Sequence, residues 1–247
     1  MNRPPCLMAS RIPDNFYPGI RRPIFSIRKV QEMKEVINEL QHTGRYMLER
    51  NLAWGNAGNM SARLSEDRCL ITASGTSLGE LAEDDFAECT FGAEISSFRR
   101  KPSKELPMHS AIYEERPDVN AVLHASPFYS TLIACSEIDL SSDLFVETMY
   151  YLERVERVPY CHPGSVDLGE AVREKATKAN ILLLENHGIL VYDSSIKEAR
   201  TALETLEVAA KMVITAKQAG IPLKSLSSDT VHHFLDHSGY KPRRKWN

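Results

Sequence analysis

Two histidines in this chain stand where apolar runs stop. Val119 to Leu123 reads as a short apolar strand that leads to His124, and Ile181-Leu182-Leu183-Leu184 runs into Asn186-His187-Gly188. An imidazole buried at a strand end is costly without a partner, and a metal ion is one such partner. Three loops could supply complementary groups. Gly58-Asn59-Met60-Ser61-Ala62-Arg63 and Thr72-Ala73-Ser74-Gly75-Thr76 combine glycine with short polar side chains. Such loops can turn backbone N–H groups toward a phosphate or another anion. Pro102-Ser103-Lys104-Glu105 adds an ammonium and a carboxylate. Each feature also has a plainer reading. A glycine-rich turn is usually only a turn, a glutamate after Lys104 is usually a solvated face, and a lone histidine is more often structural. Cys161-His162, ahead of Pro163, lacks metal-ligand spacing and is read as incidental.

The elements that must position these residues are legible in part. Val30, Met33, Ile37, Leu40, Tyr46 and Met47 fall on helical spacing, so a long amphipathic helix is expected from Ser26 to about Leu52. Cys69–Thr72 reads as a strand, 105–116 as a helix ending at Pro117, and Pro127 as the opening of another helix. A helix is expected from Asp167 to about Lys178. The turn at Asn186-His187-Gly188 joins Ile181–Leu184 to Ile189–Tyr192 as a tight hairpin. Lys197–Ala219 is a second long helix, stopped by Gly220-Ile221-Pro222. Long helices bracketing a strand-rich middle imply a mixed sheet with helices on its faces. Residues 1–25 carry five prolines and read as an extended arm, 26–224 as one domain, and 225–247 as a polar tail ending in basic residues.

Composition narrows the function classes. The chain has 247 residues, 43% of them hydrophobic, which suffices for one sizeable core. A formal net charge of -3 gives no sign of a nucleic-acid partner. No apolar run approaches the roughly 20 residues of a membrane span, and the N-terminus lacks a secretory apolar segment. The cysteines, Cys6, Cys69, Cys89, Cys135 and Cys161, are odd in number and read as free thiols in a reducing, cytoplasmic setting.

Taken together and in order, the motifs resemble the class II aldolase/adducin family. The series is Gly58–Arg63, Thr72–Gly75, Lys101–Glu105 with Met108-His109, Arg116–Val119 leading to Val122-Leu123-His124, and Leu184–Gly188; the likeness spans roughly residues 28 to 220. The resemblance implies a three-layer α/β/α sandwich around a mixed, mostly antiparallel sheet, commonly assembled as a homotetramer with active sites between subunits. In the fuculose-phosphate aldolase branch, Zn²⁺ is held by three histidines with a glutamate nearby. By motif position Glu105 matches that glutamate, His124 the first metal histidine and His187 the last. Gly58, Asn59, Thr72, Ser74, Gly75 and Ser103 fall where relatives bind the substrate phosphate. The implied ligands are therefore Zn²⁺, or another divalent metal, and a small sugar phosphate.

The implied reaction is retro-aldol cleavage of a phosphorylated ketose to dihydroxyacetone phosphate and an aldehyde. The metal would stabilise the enediolate, with Glu105 as the proton-transfer group. A same-fold epimerase, dehydratase or decarboxylase passing through a metal-stabilised enolate is the alternative, and a non-catalytic adducin-like module is the third. Two departures stand out. Ser126 occupies the place of the second histidine of the usual His-x-His, and Lys104 replaces the second serine of a common Ser-Ser pair. Tyr150 and Tyr151 lie in the stretch where family aldolases carry their acid. His232, His233, His237 and Tyr240 read as part of a polar surface helix and tail.

Overall fold

Strands in this chain alternate the faces they present, and two separate cores result. The computed structural model describes residues 27–92, 100–240, 244 and 246. The arm expected over 1–25 lies outside them, as does most of the terminal basic cluster. In chain order the elements are α1 (Ile27–Glu49), β1 (Asn59–Ser65), β2 (Arg68–Thr72), a 3-10 turn (Leu78–Glu80), β3 (Phe86–Thr90), α2 (Leu106–Glu115), β4 (Ala121–Ala125), α3 (Phe128–Ala134), α4 (Val146–Tyr151), β5 (Val155–Val158), α5 (Val166–Ala176), β6 (Ile181–Leu184), β7 (Gly188–Asp193), α6 (Ile196–Ala219) and α7 (Ser228–His237).

The seven strands form one sheet in the order β3-β2-β1-β4-β7-β6-β5. Only β5 and β6 pair in parallel, joined through α5; the other neighbours are antiparallel. Met60, Ala62, Leu123, Ala125 and Val191 point to one face, where α1, α3, α4, α6 and α7 cover them. Ile71, Val122, Leu182, Leu190 and Tyr192 point to the other, under α2 and α5. The result is the three-layer sandwich with a mixed, mostly antiparallel sheet that the sequence implied. No helix among the described residues is long and apolar enough to cross a membrane.

Helix ends follow local chemistry. The Ser165 hydroxyl accepts the Leu168 N–H at the start of α5, and Ser195 accepts the Glu198 N–H at the start of α6. Gly220, at φ +65°, closes α6 in the left-handed conformation. In the chain's last segment, Leu235 of α7 is buried against the first core, and Arg244 pairs with Asp193 and Glu153. The four described cysteines are free thiols.

One contact ties a layer to the loops of interest. Gly44, inside α1, passes so close to the 3-10 turn that a Cβ there would lie 2.1 Å from the Leu78 carbonyl oxygen. That turn directly follows Thr72–Thr76. Gly→Ala in a helix interior ordinarily stabilises by up to about 1 kcal/mol, whereas overpacking costs about 1–3 kcal/mol. The neighbour here is backbone, so overpacking wins. Gly44→Ala is expected to lower the urea midpoint by an amount equal to about 1–2 kcal/mol; a raised midpoint would show that α1 is free to move off the turn.

Candidate metal centre and adjoining cleft

Three elements deliver one donor each to a common point. Glu105 caps the N-terminus of α2, His124 is carried by β4, and His187 sits in the β6–β7 turn. The turn places His187 through Asn186, which takes φ +53°, a conformation asparagine tolerates. His124 and Asn59 are register partners on adjacent strands. Gly58 precedes them at φ +93°, and a Cβ there would come within 2.6 Å of the His124 carbonyl oxygen, so glycine is required. Gly188 is held as tightly: its Cβ would meet the Ala125 oxygen at 2.7 Å and Ser126 Oγ at 2.8 Å.

The imidazole Nε2 atoms both face the Glu105 carboxylate, His187 at 3.1 Å from Oε1 and His124 at 3.4 Å from Oε2. The donor atoms of all three lie within 4.8 Å of one another. His124 Nδ1 lies 2.9 Å from the Ile189 carbonyl oxygen, which can only accept, so the ring proton sits on Nδ1 and Nε2 is a bare lone pair. Burial pushes the His124 pKa down, which keeps the ring neutral. Burial also works against charge on Glu105, but hydrogen bonds with the His187 ring and the Asn59 amide outweigh it and hold the carboxyl at about 2. Two electron-rich groups therefore confront each other, and Glu105 Oε1 and His187 Nδ1 are buried without a well-directed hydrogen-bond partner. A cation between them fits: two imidazoles and a carboxylate are the donor types of divalent zinc and of several transition metals.

A cleft of about 560 Å³ opens beside the three donors. Of the residues singled out for phosphate, Gly58, Asn59, Ser74, Gly75 and Ser103 line it. Gly75, at φ +81° with nothing within 4 Å of a built Cβ, leaves an open turn. Thr72 does not line it: its hydroxyl accepts the Met60 N–H and only 1% of the residue is exposed. Thr76, four residues later, lines the cleft, as does the exposed Lys104. The Asn59 amide is turned inward, to Glu105 and His109.

Other expectations meet the structure differently. Ser126 lines the cleft at the position where the resemblance implied a second histidine, so three donors converge among the described residues. Tyr150 and Tyr151 are buried in α4, and neither lines the cleft. His162 contacts Tyr160, and His232, His233 and His237 belong to α7; none of them joins the donor cluster. Trp54 was not singled out by sequence reasoning. It is 64% exposed at the cleft edge and donates its indole N–H to the Ser126 carbonyl. A large aromatic beside the Gly55 turn was the signal available.

Comparison with known proteins gives consistent results. The model of the class II aldolase and adducin N-terminal domain matches residues 38–214. A 3-oxo-tetronate 4-phosphate decarboxylase of Haemophilus influenzae is 34% identical over 74% of this chain and 87% of its own length. An L-fuculose phosphate aldolase of Methanococcus vannielii is 34% identical over 67% of this chain and 88% of its own length. The crystal structure of YgbL from Klebsiella pneumoniae, titled as an aldolase, epimerase or decarboxylase, superposes with a TM-score of 0.74 at 30% identity, covering 81% of this chain and 98% of that one.

The electrostatics give the metal-free protein a signed pH dependence. His109, fully buried behind Glu105, is held neutral, its pKa pushed down to about 3 by burial and by His124. Between pH 3 and the ordinary 6.5 the unfolded chain binds more protons than the folded one, so stability falls as pH drops through this window. Glu105 has the same sign between 4.5 and about 2, where its stabilisation is lost on acidification. Urea midpoints of metal-free protein are therefore expected to decline from about pH 6.5 downward, and His109→Gln to flatten the part between pH 6.5 and 4.5. An unchanged slope in that variant would show His109 to be protonated in the folded state.

Proposed function

The chain belongs to the class II aldolase and adducin N-terminal domain family, and on that premise we propose that it is a metal-dependent decarboxylase of a phosphorylated 3-oxo sugar acid. The observation carrying this reading is the convergence of Glu105, His124 and His187 beside a cleft walled by glycine–serine loops and Lys104. Retro-aldol cleavage stood first on sequence grounds. The relatives named as 3-oxo-tetronate 4-phosphate decarboxylases shift the weight to the decarboxylase alternative.

The residues divide the work as follows. Lys104, Ser103 and the Ser74–Thr76 turn hold the phosphate, which converts binding into orientation of the reacting carbons. Glu105, His124 and His187 hold a divalent ion, zinc or another that accepts nitrogen and oxygen donors. Such an ion, held by these three residues, would supply Lewis-acid stabilisation for negative charge on the 3-oxo oxygen. Loss of CO₂ leaves an enediolate whose carbon must take up a proton, and Glu105 is the group beside it able to pass one from water. The product is the triose phosphate that a retro-aldol reaction would also give. A ketose-phosphate aldolase is the second reading, favoured by the equal identity to the fuculose phosphate aldolase. The convergence of three donors argues against a purely non-catalytic module.

Incubation with a four-carbon 3-oxo acid 4-phosphate is expected to release CO₂ and triose phosphate in equal amounts. Chelation should abolish the reaction, and added divalent metal should restore it. Triose phosphate from ketose 1-phosphates, with no CO₂ from the acid, would move the assignment to the aldolase. Lys104→Ala is expected to raise KM for the phosphorylated substrate about tenfold, roughly 1.4 kcal/mol of binding, with kcat within about threefold. A fall in kcat at constant KM would remove Lys104 from the phosphate site.

A further inference from the structure

Behind the metal centre, side chains of β1 and α2 interleave. Two residues of strand advance about 6.6 Å and four of helix about 6 Å. Asn59 and Ser61, which share a face of β1, therefore keep step with Glu105, His109 and Tyr113 at intervals of four along α2. The hydrogen bonds alternate between the two elements. Tyr113 Oη lies 2.9 Å from Ser61 Oγ, and Ser61 Oγ lies 2.7 Å from His109 Nδ1. His109 Nε2 lies 2.6 Å from Asn59 Oδ1, and Asn59 Nδ2 lies 2.7 Å from Glu105 Oε2. Ser61 and His109 are fully buried, Tyr113 is 2% exposed and Asn59 6%.

The direction of every bond follows from the carboxylate end. An ionised carboxylate only accepts, so Asn59 must present its NH₂ to Glu105 and its oxygen to His109. His109 must then carry its proton on Nε2, which leaves Nδ1 as an acceptor. Ser61 gives its single O–H to Nδ1 and so accepts from Tyr113. We propose that Tyr113, Ser61, His109 and Asn59 form a one-way relay of donors that positions Glu105 by anchoring its carboxylate at Oε2. This rests on the reading of Glu105 as a metal-binding and proton-transfer group. None of the four is a catalytic residue; they are positioning residues, and Asn59 serves the carboxylate rather than the phosphate. A half-satisfied buried network would be costly, so loss of one distant hydroxyl should be felt at Glu105.

The test reads the relay without needing turnover. In metal-free protein carrying ¹⁵N-labelled histidine, the His109 signals, assigned by their absence in His109→Gln, are expected to show a proton on Nε2 and a bare Nδ1. A proton on Nδ1 overturns the proposal, whether or not the protein binds metal. Asn59→Asp puts an acceptor where Glu105 needs a donor. It should weaken Co²⁺ binding about 10- to 100-fold, the range for groups that orient metal ligands, and alter the visible spectrum of the bound Co²⁺. In the milder variant Tyr113→Phe, kcat should fall several-fold with KM for the phosphorylated substrate unchanged, at a urea midpoint showing a folded protein. An unchanged Co²⁺ affinity and spectrum in Asn59→Asp, or a raised KM with intact kcat, overturns the relay. A wild-type protein that binds Co²⁺ and shows the expected tautomer, yet releases no CO₂, sinks the decarboxylase reading alone.

Discussion

His124 directs its Nδ1 proton at the Ile189 carbonyl, so its Nε2 lone pair faces Glu105 Oε2 across 3.4 Å. Both atoms are acceptors in a site from which water is largely excluded. Protonating the imidazole would relieve the conflict, but burial pushes its pKa the other way. Protonating the carboxyl is opposed by the Asn59 amide, which donates to Oε2. A divalent cation satisfies both acceptors at once, together with the third group, His187, which a tight turn brings in from another part of the chain. Much of the surrounding structure serves this confrontation: glycines 58 and 188 allow the close approach, and the start of α2 carries the Glu105 carboxylate to it.

How much of this could be read from the chain depended on whether the signal was local. The long helices α1 and α6 and the β6–β7 hairpin announce themselves by apolar period, capping serine or glycine, and turn residues. β3 and β5, only five and four residues long, carry Phe-Ala-Glu-Cys-Thr and Val-Glu-Arg-Val. They are held by their neighbours in the sheet rather than by their own pattern, so no sequence period reveals them. At the site, Glu105, His124 and His187 were legible by motif order within 28–220, and the family match over 38–214 falls inside that range. That the Thr72 side chain turns inward to Met60 was not legible, because a loop motif does not say which of its side chains faces the cleft. Trp54 carries no pattern beyond its neighbouring glycine. The inward role of the Asn59 amide depends on a strand–helix register that no linear motif encodes.

The geometry also explains why neighbouring activities are hard to separate in this fold. Retro-aldol cleavage and decarboxylation both place a carbon's electron pair into the same oxyanion, and a cation on the three donors would serve that shared charge. What differs is the group that leaves. Selectivity would then lie in the part of the cleft that meets the departing fragment and not in the donors themselves. Relatives at equal identity with different reactions are the expected consequence.

Ser126 bears on this last point. A hydroxyl in place of an imidazole removes a strong donor and leaves space and polarity facing the cleft. Three protein donors with an open position are the pattern of a catalytic rather than a structural site, because substrate oxygens can complete the coordination. With one imidazole fewer, the carboxylate would carry a larger share of an ion's binding than it would beside three histidines. Holding Glu105 in place then becomes more consequential in this chain. The Asn59–His109–Ser61–Tyr113 network behind it acquires a physical reason to be fully buried and fully bonded: the fewer the donors, the more each must be pre-organised before the ion arrives.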